Sequence, residues 1–425
     1  ELNSNFIIVF NDNQMSIAEN HGGMYDQFAE LRRTNGAAEN NLFKSMGLDY
    51  LYVNDGNDIE ALIAAFEQVK DTSHPVVVHI NTLKGKGYAP AEANKEKWHW
   101  HMPFDIQTGQ SPASGSSESY ASIFAEYALK RAKTDPKFLV LMSAVPGLLG
   151  LTQERREELG KHYLDVGIAE ETAVAMASGA AHAGAHVVWG SSATFIQRTY
   201  DQLTQDLALN QNPAVIVGSG SIRGLMAATH QGLSSISMIA NIPNMVYLAP
   251  SNAEEYIAML DWALEQDKYP VYIAIPSGPV AHAEGSVRTN FDDLNTYEVT
   301  RQGSKVAVLA LGDFYDLGEK TVEALSSTLG IEATLVKPYF ASGIDHNLLD
   351  NLVKDHDVIV TIEDGIIEGG WGQNIASYLG TSSARVLNYG VKKAFYDRVN
   401  IAELMRESHL EPELIAADVK QVLGL

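Results

Sequence analysis

Short β-branched runs alternate with helix-periodic segments along nearly the whole chain, and this alternation limits what it can fold into. Residues 6–10 (FIIVF) and 75–80 (PVVVHI) are continuous apolar runs. Such runs predict strands buried on both faces, as in parallel sheets covered by helices. Residues 59–69 between them have helical spacing. Further strands are expected at 138–142, 186–189, 214–217, 245–248 and 271–275, then at 305–311, 333–336, 358–362 and 385–387. Helical patterns fall among them at 119–132, 170–183, 251–264, 317–325 and 372–379. The pattern implies an α/β protein with three open, mostly parallel-sheet domains. Residues 106–118, rich in Gly, Ser and Pro, read as a linker, and the mixed-charge segment 283–295 as a softer boundary. The expected domains are therefore 1–105, 119–284 and 297–425, and 425 residues suffice for three at ~150 each.

Charge and cysteine content exclude several classes of function. The chain has 53 acidic and 30 basic side chains, a formal charge of −23. Such a surface repels phosphate backbones and argues against nucleic acid as a partner. A phosphorylated ligand would need a metal ion or a few placed cations. No cysteine is present, which removes disulfides, thiol catalysis and thiolate zinc sites, and fits a cytoplasmic location. No run reaches the ~20 apolar residues that span a bilayer, so no membrane association is expected. The chain opens with Glu1-Leu2-Asn3, without Met, and runs directly into an apolar strand. We read it as the back part of a longer polypeptide.

Five segments carry chemistry. Asn11-Asp12-Asn13-Gln14-Met15-Ser16-Ile17 follows the first strand, where ligands bind in open α/β sheets. An amide oxygen and a freed backbone carbonyl there suit Mg²⁺; an Asx-rich turn explains the same residues. Residues 83–92 (LKGKGYAPAE) with Trp98-His99 read as a Gly/Lys loop followed by a histidine, or as a flexible basic loop. Residues 165–181 (DVGIAEETAVAMASGAA) place Glu170 and Glu171 at the start of an apolar helix, where acids ordinarily serve the helix dipole. Residues 191–202 (SSATFIQRTYDQ) and 228–232 (ATHQG) contribute Phe195, Arg198 and His230.

These strings resemble 1-deoxy-D-xylulose-5-phosphate synthases of the transketolase superfamily, which use thiamine diphosphate. The resemblance extends through "NIPNMVYLAPSNAEEY" and "EDGIIEGGWGQNIASYL" and covers nearly all of the chain. It implies a diphosphate-binding domain, a pyrimidine-binding domain and a C-terminal domain, in that order. It implies that Asn13 and the Met15 carbonyl bind Mg²⁺, that Tyr88 contacts the cofactor and that Phe195 stacks on its aminopyrimidine. Glu170 is implied to share a proton with the pyrimidine nitrogen, while His99 and His230 face the reacting atoms. The Gly-Asp-Gly half of the family's cofactor motif is absent, so an N-terminal segment or chain carrying it is an expected partner. A homodimer with a keto-acid donor and an aldehyde acceptor completes the implication.

The likeness weakens at the acceptor. Two arginines that hold substrate phosphate in the family align with Ser219 and with Ser277 of Pro276-Ser277-Gly278. An acidic residue before the substrate histidine is Met226, and a tyrosine before the stacking phenylalanine is Ser192. Serine cannot replace a bidentate guanidinium. Arg223 and Arg198 are the candidate replacements. Three readings stay open: a synthase condensing pyruvate with glyceraldehyde 3-phosphate or a related aldehyde, a transketolase-like transfer of a two-carbon ketol unit to another acceptor, and a non-catalytic chain that needs an N-terminal partner.

Overall fold

The computed structural model describes residues 4–101, 103–111, 118–224 and 227–425. Met226, and residues 112–117 of the expected linker, lie outside the described residues. The chain forms two compact units, Glu1–Ser117 and Glu118–Leu425.

The first unit holds a parallel three-stranded sheet of β1 (Ile7–Asp12), β2 (Asp49–Val53) and β3 (Val76–Asn81), in the order β1-β3-β2. In β3, Val76, Val78 and Ile80 pack with Ala65 and Val69 of the Ile59–Val69 helix. Val77 turns to the other face, against Phe28 and Leu31 of the Gly23–Arg33 helix and Phe43. The two-residue period of a strand thus divides one apolar run between two layers. β1 departs from the expectation of burial on both faces. Among the described residues it pairs only with β3, and Phe6 and Val9 are 64% and 48% exposed. The Gly23–Arg33 helix and β2 went unmarked in the sequence; the helix's apolar residues are interleaved with charged and polar ones, and β2 is a run of only four, Tyr50 to Val53.

The second unit contains two sheets. The first is parallel, with β4 (Phe138–Met142), β5 (Tyr163–Asp165), β6 (His186–Ser192), β7 (Val215–Ser219), β8 (Val246–Leu248) and β9 (Val271–Ile275) in the order β5-β4-β6-β7-β9-β8. The second comprises β10 (Glu298–Arg301), β11 (Lys305–Ala310), β12 (Thr334–Lys337), β13 (His356–Ile366) and β14 (Arg385–Val391) in the order β10-β12-β11-β13-β14. Only β10 runs antiparallel there, and its four residues are all exposed, so it carries no apolar signal.

These two sheets share cores. Trp189 and Tyr247 of the first lie in one apolar cluster with Leu309 of the second and Trp371 of the helix Trp371–Tyr378. The Ala249 N–H donates to the Tyr339 carbonyl at 2.8 Å, and the Ala341 N–H to the Tyr247 carbonyl at 3.0 Å. The segment 283–295 has no helix or strand, yet it is pinned. Phe291 is buried, and the Arg288 guanidinium lies 5.1 Å from its ring centroid and 5.4 Å from that of Tyr339.

Candidate functional site

The candidate residues assemble in two groups, one in each unit. In the first unit the chain leaves β1 through a tight polar turn. Asn13 Oδ1 accepts the Met15 N–H at 3.0 Å, Asp12 Oδ1 accepts the Gln14 N–H at 3.3 Å, and Gln14 has φ +67°. The Asx turn weighed as the plain explanation is therefore present. It does not exhaust Asn13, because an amide oxygen has a second lone pair.

Beneath the turn lies a buried polar chain. Asp12 Oδ2 binds both Arg32 Nη1 and His79 Nε2, the latter at 2.9 Å, and His79 Nδ1 meets the Tyr50 hydroxyl at 2.7 Å. Burial alone would raise the Asp12 pKa, but the hydrogen bonds from His79 and Arg32 outweigh it and hold the carboxyl below its ordinary value. Burial raises Tyr50 out of the physiological range, so it remains a phenol. Sequence reasoning overlooked this network, although a histidine and an aspartate within apolar strands were its visible signal.

The Gly/Lys loop closes over the same turn. Lys84 Nζ donates to the Ser16 carbonyl at 3.1 Å and meets His99 Nδ1 at 2.9 Å. His99 is held below its ordinary pKa by desolvation and by the Lys84 charge, and Lys84 is lowered chiefly by desolvation. Both shifts favour a neutral imidazole that accepts at Nδ1 and keeps Nε2–H as a donor. Tyr88 packs edge-on against Trp98 at 5.0 Å and near Phe104 at 5.8 Å, and its hydroxyl donates to the Ile106 carbonyl at 3.3 Å. His101 stacks on Trp98 at 4.4 Å. His99, rather than His101, thus joins the Asn13–Ser16 turn.

In the second unit Asp165, ending β5, organises the approach to Glu170. Its Oδ1 accepts the N–H groups of Ala144 at 2.9 Å and Gly167 at 2.8 Å, and the Tyr163 hydroxyl donates to Oδ2 at 3.0 Å. Gly167 has φ +73°, a conformation costly for residues with a Cβ. The chain then enters the Glu170–His182 helix, with Glu170 3% exposed in its first turn. Arg198 Nη1 donates to Glu170 Oε2 at 3.1 Å, and Arg198 Nε lies 3.5 Å from Glu171 Oε1. Phe195 meets His230 edge-on at 5.3 Å, and His230 Nδ1 lies 2.7 Å from the Thr229 hydroxyl. Glu170, Arg198, Phe195 and His230 therefore gather at the carboxyl ends of the parallel strands. Two buried hydroxyls there, Ser191 Oγ and Thr194 Oγ1, have no hydrogen-bond partner.

Arg223 stands apart from that group. Its Nη2 donates to Asp316 Oδ1 at 2.9 Å, its Nη1 to the Asp313 carbonyl at 3.0 Å, and its guanidinium lies 4.5 Å from the Phe314 ring centroid. The Ser277 N–H donates to Asp313 Oδ2 at 3.2 Å. Among the described residues no group of three or more His, Asp or Glu is arranged to hold a metal ion, and no helix is long and apolar enough to cross a membrane.

Three family models match the chain. The family described as "Transketolase, pyrimidine binding domain" matches residues 117–281, "Transketolase, C-terminal domain" matches 295–415, and "1-deoxy-D-xylulose-5-phosphate synthase" matches 32–82. The chain is 31% identical to the 1-deoxy-D-xylulose-5-phosphate synthase of Pseudoalteromonas translucida over 462 aligned positions, covering 100% of this chain and 73% of that protein. It is 30% identical to the Clostridium tetani synthase, covering 98% and 73%. The fold is similar to a split-gene transketolase solved as an inactive β4 tetramer, with a TM-score of 0.62 at 21% identity over 72% of this chain and 99% of that one. It is also similar to a Pichia stipitis transketolase mutant in complex with fructose 6-phosphate, with a TM-score of 0.60 at 16% identity over 98% and 71%. The chain therefore belongs to the 1-deoxy-D-xylulose-5-phosphate synthase family, transketolase-class transferases that depend on thiamine diphosphate.

Proposed function

We propose that this chain catalyses a synthase-type reaction in which a keto acid such as pyruvate loses CO₂ and its remaining two-carbon unit joins an aldehyde. The observation that carries the proposal is the buried Glu170 carboxylate bonded to Arg198, which lies three residues along from Phe195 with its edge-on neighbour His230, and the unpartnered Ser191 and Thr194 hydroxyls close by in sequence. A desolvated carboxylate and orphaned hydroxyls at strand ends fit a polar heteroaromatic ligand. Thiamine diphosphate, when bound, supplies the nucleophilic carbon and the electron sink. Glu170 would hold and return a proton at the pyrimidine nitrogen, and Phe195 would orient the ring by stacking. His99 and His230 would donate to or accept from the reacting oxygens. Asn13 and the Met15 carbonyl would be oxygen ligands for Mg²⁺, with Tyr88 and its aromatic neighbours lining the cofactor. On this reading the three sheets belong to a diphosphate-binding, a pyrimidine-binding and a C-terminal domain. The exposed edge at Phe6 and Val9 would take a further strand from a preceding segment or a separate chain.

Glu170→Gln tests the proposal, since glutamine keeps the volume but cannot share the proton. Exchange of the cofactor C2 proton for deuterium should fall by about 10²–10⁴-fold while circular dichroism stays unchanged. Wild-type exchange in the variant would remove Glu170 from the mechanism. Release of CO₂ from pyruvate separates the synthase reading from simple ketol transfer.

The acceptor proposed here is an aldehyde without phosphate. Ser219 and Ser277 carry no charge, and both Arg198 and Arg223 are already engaged by carboxylates.

A further inference from the structure

Two stretches of the segment after β7, Ser221–Arg223 and Ala228–Leu233, are fastened to the C-terminal sheet region. At the first, the Ile222 N–H donates to Asp364 Oδ1 at 2.7 Å, and Arg223 reaches Asp316, the Asp313 carbonyl and the Phe314 ring. At the second, the Ala228 N–H donates to Asp397 Oδ1 at 3.3 Å, Gln231 Nε2 to the Tyr396 carbonyl, and the Ile366 N–H to the Leu233 carbonyl at 2.9 Å. His230 lies within the second stretch, and Ser219 lies just before the first. Asp313 and Asp364 line one small cavity of about 30 Å³ together with Gly220, Tyr247, Pro250 and Pro276. Both carboxyls are half-buried, so water screens them from each other only in part.

We infer that Arg223, Asp313 and Asp364 are positioning residues for the acceptor. They clamp the His230 segment onto the C-terminal region through the Ile222–Asp364 and Arg223–Asp313/Asp316 hydrogen bonds, and protonation of the carboxyl pair favours the closed clamp. The inference rests on the proposed role of His230. It gives the C-terminal region a task within its own chain, that of holding a substrate-facing segment in place.

The electrostatics support the geometry. Burial, followed by the Asp313 charge, pushes Asp364 up to about 7, against the lowering effect of the Ser221 hydroxyl, the Ile222 N–H and Arg223. Burial also raises Asp313, opposed by Arg223 and the Ser277 N–H and reinforced by Asp316. Asp316 itself pairs with Lys320 as well as Arg223. Glu363, the next residue before Asp364, is likewise pushed up to about 7 by burial. Among the described residues, the Tyr247 and Tyr120 hydroxyls also feel this pair, and burial raises both. A carboxyl with a raised pKa in the closed state binds a proton that the open state releases. The clamp is therefore tightest below the ordinary carboxylate range, near pH 4, and loosens as pH rises through about 7.

The test is hydrogen exchange of residues 219–223 and 228–233 in the whole chain, corrected for intrinsic rates, alongside steady-state kinetics of the active protein. In wild type, protection of these residues should fall between about pH 5 and pH 8, and the KM for the acceptor should rise with little change in kcat. Asp364→Asn, which cannot ionise, should flatten most of both pH dependences, Asp313 and Glu363 carrying the remainder. Arg223→Met, which keeps the stem over Phe314, should speed exchange of the segment and raise acceptor KM by about tenfold. Asp313→Asn serves the same purpose as Asp364→Asn if that variant is unstable. Unchanged exchange in Arg223→Met, or a wild-type pH profile in both asparagine variants, would overturn the clamp. Hydrogen exchange reports on the clamp without any turnover, so a failed clamp and a failed assignment of Glu170 are distinguishable.

Discussion

At the scale of single residues, the buried Asp12–His79–Tyr50 chain makes the strongest stability prediction. Asp12→Asn leaves Arg32 and His79 facing an uncharged group and should cost about 3 kcal/mol in chemical denaturation. The folded-state pKa of Asp12 is depressed. Its contribution is therefore present above the unfolded carboxylate pKa and lost as pH falls through the lower folded value. The wild type should lose stability below about pH 4, and the variant should lose less over the same window. A variant as stable as wild type at neutral pH would show that the network contributes nothing. Ser277→Arg belongs to this scale too. If the acceptor pocket lacks a phosphate partner, the added guanidinium should raise kcat/KM for glyceraldehyde 3-phosphate by about 10-fold or more. No gain over an unphosphorylated aldehyde would contradict the altered pocket. Glu170, Phe195 and His230 were legible as motif positions. Lys84 was not, because nothing in a basic loop reveals which carbonyl or imidazole its ammonium will reach.

Among the elements, strands at the centres of sheets were easiest to read. The runs at 138–142 and 271–275 coincide with β4 and β9, since burial on both faces leaves an unbroken apolar signal, and 59–69 coincides with a helix through its helical spacing. Edges were harder. β10 is entirely exposed, and β2 has only its last residue buried, so neither shows the pattern of a core strand. β7 offers a direct test of packing. A Cβ on Gly218 would lie 2.0 Å from the Tyr272 hydroxyl oxygen, and Tyr272 is itself wedged against Tyr247 with ring centroids 4.7 Å apart. Gly218→Ala should therefore destabilise the second unit by about 1–3 kcal/mol, measured as a lowered denaturation midpoint. A neutral substitution would mean that Tyr272 moves aside without cost.

For the whole molecule, we expect a homodimer. Ile168, Tyr200 and Leu209 are 59%, 39% and 70% exposed around the helix that begins at Glu170, more apolar surface than a site-bearing face keeps without a reason. An obligate interface of more than ~2,000 Å² would also have to overcome the repulsion between two chains of charge −23. Sedimentation at micromolar concentration should give a dimer whose dissociation abolishes activity. A fully active monomer would defeat the expectation.

The sequence alone determined the architecture and most of the candidate chemistry. Apolar runs and helical periods are local, and so are motif strings such as those around Asn13 and Glu170. What it left undetermined depends on residues distant along the chain. Arg223 could be offered as a phosphate ligand until Asp313, Phe314 and Asp316 were placed around it. The segment 283–295 read as a soft domain boundary, and nothing in its residues shows that Arg288 stacks on rings 51 and 52 residues away, those of Tyr339 and Phe340. β1 looked fully buried until its pairing showed β3 on one side and solvent at Phe6 and Val9. A charge or a ring carries no mark of its partner in the linear chain. Only tertiary packing decides which carboxylate, carbonyl or aromatic face it meets, and how much water remains between them.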